Sequence, residues 1–296
     1  MRATPETLAM ASPAQARLVT RLVLGTAALG SGYGRRRGAP PLPASEVCAI
    51  LDAAWDAGIR AFDTATSYGD AAAALAHWLR TGGRLADAAI VTKVTAADAL
   101  RADAVAAACH AFQGARELTV LSHGAVDADA FALLRGHAAS VHAAAGQSVY
   151  TATEVASAAA AGAARVQAPV NVFDPRQADA ARRAAVPLDG RSVFLQGLLL
   201  DDDDVAGQRV RGGGALARAV RHAALDAGLD PAGALIAAAA LRLGPADRLV
   251  IGIDEVAQLE AIHAAADAAP GRVVAFAEAI AAATVGDDVL DPRTWP

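Results

Sequence analysis

Short apolar runs alternate along this chain with longer stretches in which apolar positions recur every three or four residues, the signatures of strand and helix. Eight runs read as strands: RLVLGTAALG (21–30), RAFDTA (60–65), AAIVTKV (88–94), ELTVLSH (117–123), GQSVYT (146–151), ARVQAPVN (164–171), RSVFLQGLL (191–199) and RLVIGID (248–254). Each is followed by helix. The first helical pattern is SEVCAILDAAWDAG (45–58), with Ser45 or a neighbour placed to cap it and Gly58 to stop it. Others run from about Asp70 to Arg80, near 103–112, to about 144, through TEVASAAAAG (153–162), near 176–184, as two helices beyond an acidic loop, and in EVAQLEAIHAAADA (255–268). Eight βα units predict a parallel sheet with crossover helices, closed into a (β/α)8 barrel of the α/β class. Such strands are apolar on both faces of the pleat, because barrel interior and helix layer bury both. Residues 1–20 read as an N-terminal extension and 270–296 as a C-terminal helix and tail on this single-domain barrel.

Composition narrows the picture. A length of 296 residues suits one barrel of roughly 250 residues with additions. The chain is 54% hydrophobic, but charges interrupt its alanine-rich runs, so none reads as a membrane span. Thr, Pro, Gln and Arg break up the N-terminus, which argues against a secretory signal and for a soluble, cytoplasmic protein. Cys48 and Cys109, both in helical patterns, read as small buried residues rather than a disulfide or zinc site. A formal charge of −5, with one basic cluster at Arg35, Arg36 and Arg37, argues against nucleic acid as a partner. A small-molecule ligand and a monomer or weak homo-oligomer are expected.

The predicted strand ends carry the chemistry. Asp63 ends the second, Lys93 the third and His123 the fourth; Ser148, Gln167 with Asn171, Ser192 and Gly252 fall near the ends of the fifth to eighth. In a (β/α)8 barrel these ends share one rim, where active sites are built. Lys93 is the single lysine among 26 basic residues, a place where an ammonium rather than a guanidinium is kept. A buried lysine beside a carboxylate stays charged, and beside a tyrosine hydroxyl it favours the phenolate, lowering a pKa otherwise near 10. In FDTATSYGD (62–70) the turn after Asp63 brings Tyr68 toward Lys93, so that Tyr68 is the candidate proton donor and His123 orients a carbonyl oxygen. Taken singly, Asp63 could cap a turn, Tyr68 pack in the core and His123 be a satisfied strand-end histidine; their convergence is what argues against those roles.

With these motifs in hand, the sequence resembles the aldo-keto reductases over nearly its whole length, through LVLGTAALG, AGIRAFDTATSYGD, IVTKV, LTVLSHG, GQSVYT, RVQAPVNVFD, RSVFLQGLLL and VIGIDEVAQLEAI. The resemblance implies a catalytic tetrad of Asp63, Tyr68, Lys93 and His123 and no metal. It implies a nicotinamide cofactor, NADPH by family default with NADH possible, whose carboxamide is held by Ser148 and Gln167. Arg191, Ser192, Phe194, Gln196, Gly197, Gly252, Asp254 and Gln258 complete the implied cofactor site. The implied reaction moves a hydride between cofactor and a carbonyl carbon while Tyr68 supplies or removes the proton.

Three positions depart from the family pattern. Val149 replaces an asparagine that would contact the carboxamide; Arg191 stands where an aromatic often stacks on the nicotinamide; and Gly252-Ile253-Asp254-Glu255 lacks the basic residues expected for a 2′-phosphate. The rival readings are a non-catalytic NAD(P)-binding sensor or regulatory barrel, and a cofactor-free isomerase or lyase. His77, His110, His137, His142, His222 and His263 read as surface or helix-packing residues, and Trp55 and Trp78 as core. The Asp201 to Asp204 run reads as a solvated loop, and GSGYGRRRG (30–38) as a loop at the site mouth with Tyr33 near substrate. Specificity is assigned to the loops 31–43, 124–127 and 201–213 and to the tail with Trp295.

Overall fold

A computed structural model of the chain describes residues 18–30, 38–281 and 285–295. Eight parallel strands close into a barrel in chain order: β1 (Leu22–Gly25), β2 (Ala61–Asp63), β3 (Ala89–Thr95), β4 (Glu117–His123), β5 (Ala144–Ser148), β6 (Arg165–Pro169), β7 (Leu188–Arg191) and β8 (Arg248–Gly252). Helices α1 (Ala44–Asp56), α2 (Ala71–Thr81), α3 (Ala102–His110), α4 (Ala128–Ser140), α5 (Ala152–Ala160) and α6 (Arg176–Ala184) follow the first six strands in turn. Three helices, α7 (Asp203–Arg209), α8 (Gly213–Asp226) and α9 (Pro231–Ala240), follow β7, and α10 (Glu260–Asp267) and α11 (Pro270–Ala281) follow β8.

Register shows how the sequence sorts itself across the barrel wall. Paired residues of parallel strands point to the same face and alternate along each strand. From Gly25↔Asp63, Asp63↔Val91, Lys93↔Leu121, His123↔Ser148, Ser148↔Gln167, Gln167↔Asp189, Asp189↔Arg248 and Gly25↔Gly252, one face carries Asp63, Lys93, His123, Ser148, Gln167, Arg191 and Gly252. That face is the inner one: Val23, Ala61, Ala89 and Val250 share its parity and form their own small buried cluster. The opposite face carries Leu24, Phe62, Ile90, Val120, Val166, Leu188 and Ile251, all within the main core. Burying each such side chain contributes about 1.5–3 kcal/mol.

The inner face is therefore not apolar throughout, contrary to the expectation of strands apolar on both faces. Its lower level holds Asp189, fully buried, accepting from Arg165 at 3.0 Å and from Arg248 at 2.8 and 2.9 Å. This charge network explains why β7 is displaced from the predicted 191–199. Its sequence, Leu-Asp-Gly-Arg, carries no apolar run, yet Asp189 has two arginines to neutralise it, and Gly190 fits because a Cβ there would lie 2.9 Å from Val170. The apolar stretch after it is instead a loop with Ser192, Leu195, Gln196 and Gly197 at positive φ, ending in a helical turn at Leu198–Leu200.

Other elements differ in smaller ways. β1 gives way to a helical turn at Ala27–Gly30, and β5 spans Ala144–Ser148, ending before Val149. α1 has Pro43 at its N-cap with no side-chain cap, so Ser45 lies inside the first turn. α5 is capped by a reciprocal Thr151 and Glu154 box. The acidic run is not a solvated loop: Asp201 is buried and paired with Arg209, Asp202 precedes α7, and Asp203 pairs with Arg218 and Arg221. The arginine density of the chain supplies those partners. Cys109 is buried as expected, whereas Cys48 is exposed, because α1 turns it outward between buried Val47 and Ile50. Trp78 is buried and bonded to Asp52 at 2.9 Å; Trp55 is half-buried under the Arg60 guanidinium. The six histidines other than His123 are exposed or half-buried. Tyr33 and Arg35, Arg36 and Arg37 lie outside the described residues, as does most of the N-terminal extension. Among the described residues no single helix is long and apolar enough to cross a membrane.

Candidate active site

The turn after β2 is tied to its neighbours by backbone bonds. Thr26 N and Oγ1 donate to the Asp63 carbonyl at 2.9 and 3.0 Å, Thr64 N to that of Val91 at 2.8 Å, and Thr66 N to that of Lys93 at 3.0 Å. Tyr68 N then donates to the Ala65 carbonyl, and Gly69 at φ +56° turns the chain into α2. Gly30 meets this turn so closely that a Cβ there would sit 2.1 Å from the Tyr68 carbonyl oxygen. Three threonines and two glycines thus fix the turn that carries Tyr68.

Lys93 reaches it from the barrel interior. Its Nζ donates to Asp63 Oδ1 at 2.6 Å and Oδ2 at 2.5 Å, to Tyr68 OH at 3.2 Å and to the Thr64 carbonyl at 3.4 Å. Lys93 and Asp63 are 2% and 3% exposed. Burial alone would lower the Lys93 pKa; the Asp63 carboxylate, with a further contribution from Tyr68, outweighs it and holds the ammonium above its ordinary range. The chain of bonds continues across the barrel: Gln167 Nε2 donates to Asp63 Oδ1 at 2.8 Å, and Ser148 Oγ donates to Gln167 Oε1 at 3.3 Å.

His123 closes the group, its ring 6.3 Å from that of Tyr68 and nearly perpendicular to it. The residue is exposed at the rim, yet partial covering of its ring, followed by the Lys93 and Arg191 cations, pushes its pKa below the ordinary 6.5, against the opposing pull of Asp63. A neutral imidazole at pH 7 keeps one N–H to donate. The cluster thus pairs a hydroxyl beside a buried cation with a neutral donor facing it, an arrangement suited to protonating an oxygen.

A cavity of about 300 Å³ opens beside Tyr68. Of the expected residues, Asp63, Tyr68, Gln167, Arg191, Ser192, Phe194, Gln196, Gly197, Gly252, Asp254 and Gln258 line it. Lys93 and Ser148 stand behind that lining, and His123 beside it. Asn171 is turned to a structural task, its Oδ1 accepting from Phe173 N and Asp174 N at 2.9 and 3.1 Å. Trp295 packs near Arg209, with Nε1 donating to the Val289 carbonyl at 3.2 Å.

The donor set fits a nicotinamide dinucleotide. Ser148 and Gln167 satisfy each other only through a long bond and can turn to a carboxamide; the cavity continues past the loop 192–197; and Gly252 leaves open space where a side chain would stand. Arg191 is the only cation in the described lining, and Asp254 is closed into a reciprocal pair with Gln258, at 2.9 Å from its N–H and 2.5 Å from its carboxylate. The sequence motifs leave three contributions unseen. Gly30 bears on Tyr68; Tyr150 stacks 4.3 Å beneath the Arg191 guanidinium; and Gly25, level with Asp63 and Gly252 in register, joins the lining. For Gly25, barrel register is the signal that finds it.

Comparison with known proteins bears on the sequence pattern and the fold. Residues 21–117 match the Aldo/keto reductase family. No curated protein matches the chain. Among solved structures, the glycerol dehydrogenase of Gluconobacter oxydans is similar at 16% identity and a TM-score of 0.69, over 88% of this chain and 91% of that one. An aldo-keto reductase from Bacillus halodurans in its holo form aligns at 15% identity and 0.67, over 92% and 96%. An aldo/keto reductase from Klebsiella pneumoniae, solved with NADP and acetate, aligns at 17% identity and 0.64, over 89% and 92%. The first third of the chain thus carries the sequence pattern of the aldo-keto reductase family, and the barrel it begins has the fold of that family's solved structures.

Proposed function

We propose that the protein is an oxidoreductase that moves a hydride between a nicotinamide dinucleotide and a small carbonyl compound, reducing an aldehyde or ketone or oxidising the matching alcohol. The observation that carries this reading is the buried Lys93, bonded at once to both carboxylate oxygens of Asp63 and to the Tyr68 hydroxyl. NADPH is the proposed cofactor, in keeping with the NADP in the Klebsiella pneumoniae structure, and NADH is the alternative that Asp254 in the cavity wall leaves open.

When bound, the cofactor supplies the hydride pair of electrons and accepts it in the reverse direction. The chain's own groups do the rest. Tyr68 gives its proton to the oxygen of the carbonyl whose carbon gains the hydride, and takes it back when an alcohol is oxidised. Lys93, kept charged by Asp63, stabilises the negative charge left on the Tyr68 oxygen. Neutral His123 donates to the same substrate oxygen and orients it. Ser148 and Gln167 would hold the carboxamide, and the loop from Ser192 to Gly197, with Gly252 and Gln258, would hold the remainder of the dinucleotide.

The test combines binding and turnover. Tryptophan fluorescence titrations with NADPH and with NADH should show saturable binding of at least one. Tyr68→Phe should then keep that binding and lose nearly all turnover in a carbonyl screen. Wild-type activity in this variant would remove Tyr68 from the proton-transfer role, and absence of binding of either dinucleotide would remove the oxidoreductase reading.

A further inference from the structure

We propose that Arg191 makes this site discriminate against the oxidised, positively charged nicotinamide in favour of the reduced, neutral one, and so favours loading of the reduced cofactor and release of the oxidised one. The inference rests on the function proposed above and assigns Arg191 the part of a redox-selectivity residue.

The charges at the reaction end of the cavity lead to this conclusion. Asp63 and Lys93 neutralise one another at 2.5 Å, and His123 is held toward its neutral form. Arg191 remains. Its guanidinium has no carboxylate within ion-pair distance among the described residues; Nη2 donates to the Val149 carbonyl at 3.0 Å and Nη1 to Ser192 Oγ at 3.3 Å, and its face lies 4.3 Å from the Tyr150 ring centre. These contacts fix its position without neutralising it, and Asp291, whose carboxylate feels the Arg191 charge, is itself paired with Arg293 at 2.5 Å. Strand pairing fixes the backbone as well, since the Arg191 carbonyl accepts from Val170 N at 2.8 Å.

Arg191 lines the same cavity as Tyr68, Asp63 and Gln167, and its charge is felt at His123, where it helps to lower the pKa. Asp254, the other charged group in the wall without a cation partner, is bonded to Gln258. A cation is therefore built into the wall at the end of the site where protons and hydride must meet.

The consequence follows from charge balance. The hydride and the Tyr68 proton must arrive at the carbon and oxygen of one carbonyl, so the cofactor's change of charge occurs at the Tyr68 end of the cavity. Giving up the hydride, two electrons and a proton, takes the nicotinamide ring from neutral to +1, while the carbonyl becomes an alcohol with the proton from Tyr68. A fixed positive charge nearby opposes that ring charge. Coulomb repulsion across a partly hydrated site, with both charges delocalised, disfavours the oxidised form by roughly tenfold.

This can be read without knowing the substrate. Dissociation constants are measured by fluorescence or calorimetry for the oxidised and reduced forms of whichever dinucleotide the wild-type protein binds, in wild type, R191M and R191K. The ratio of the oxidised to the reduced constant should fall about tenfold in R191M and stay near wild type in R191K. R191Q, able to keep a bond to the Val149 carbonyl, takes the place of R191M should methionine impair folding. If both forms bind and the ratio is the same in wild type and the neutral variants, the selectivity role is overturned while the oxidoreductase reading stands. If wild type binds neither form, that reading fails and the selectivity role with it.

Discussion

At the scale of single residues, the candidate site is a balance of opposed effects around one ammonium. Burial works against a charged Lys93, and the bonds to Asp63, with a further contribution from Tyr68, make the charge stable. His123 shows the reverse outcome, because covering of its ring and the neighbouring cations act in the same direction. Its folded pKa is depressed below 6.5, so the unfolded chain binds this proton more readily. The depression therefore leaves stability unaffected above the unfolded value and lowers it as the pH falls below about 6.5. For activity, the acid limb of kcat/KM governed by His123 should lie below pH 6.5, since the proposed mechanism uses the neutral ring. In R191M, with one of the two cations gone, that limb should move to higher pH; a limb that stays in place would assign the acid titration to another group. These residues were legible in the sequence because each is chemically distinctive and stands at a strand end. Gly30 was not, because what matters there is the space a side chain would need, which only the folded turn defines.

At the scale of elements, precision depends on how strongly packing speaks through local pattern. β4 and α6 fall where their sequences predict, at Glu117–His123 and Arg176–Ala184, since apolar alternation and helical period are unbroken there. β7 does not. Its polar residues are compensated by Arg165 and Arg248, which lie 24 and 59 positions away in sequence and become neighbours only when the barrel closes. The apolar side chains behind it, Val193, Leu195, Leu198 and Leu199, are buried as strand residues would be, but from a loop with left-handed turns. The turn that carries Tyr68 gives an element-scale prediction. Gly30→Ala would force its Cβ against the Tyr68 carbonyl, so the turn must shift by more than a rotamer change can absorb. Turnover should fall by at least about tenfold through misplacement of the hydroxyl, with dinucleotide affinity changed far less. Equal losses in both, seen by comparing titrations with kcat, would mean the substitution damages the cavity as a whole.

At the scale of the whole molecule, the inner face of the barrel is graded. A charged network around Asp189 occupies its lower level, small apolar residues its middle, and the Asp63, Lys93 and Tyr68 group its upper rim. The closed barrel was legible in the count and order of the βα units, because covering both faces of eight short strands leaves little alternative. The polar base was not, since an alternating strand pattern does not reveal which partners lie across a closed interior. This grading also places the chain's sole lysine at 2% exposure between the apolar middle and the mouth. The folded chain therefore offers an amine-acylating reagent no accessible lysine side chain. Intact-mass counting should find one more acyl group once denaturant opens the barrel than under native conditions. The rate at which that group appears would then report, without any engineered label, how often the wall around Lys93 comes apart, and a ligand that seals the cavity should slow it.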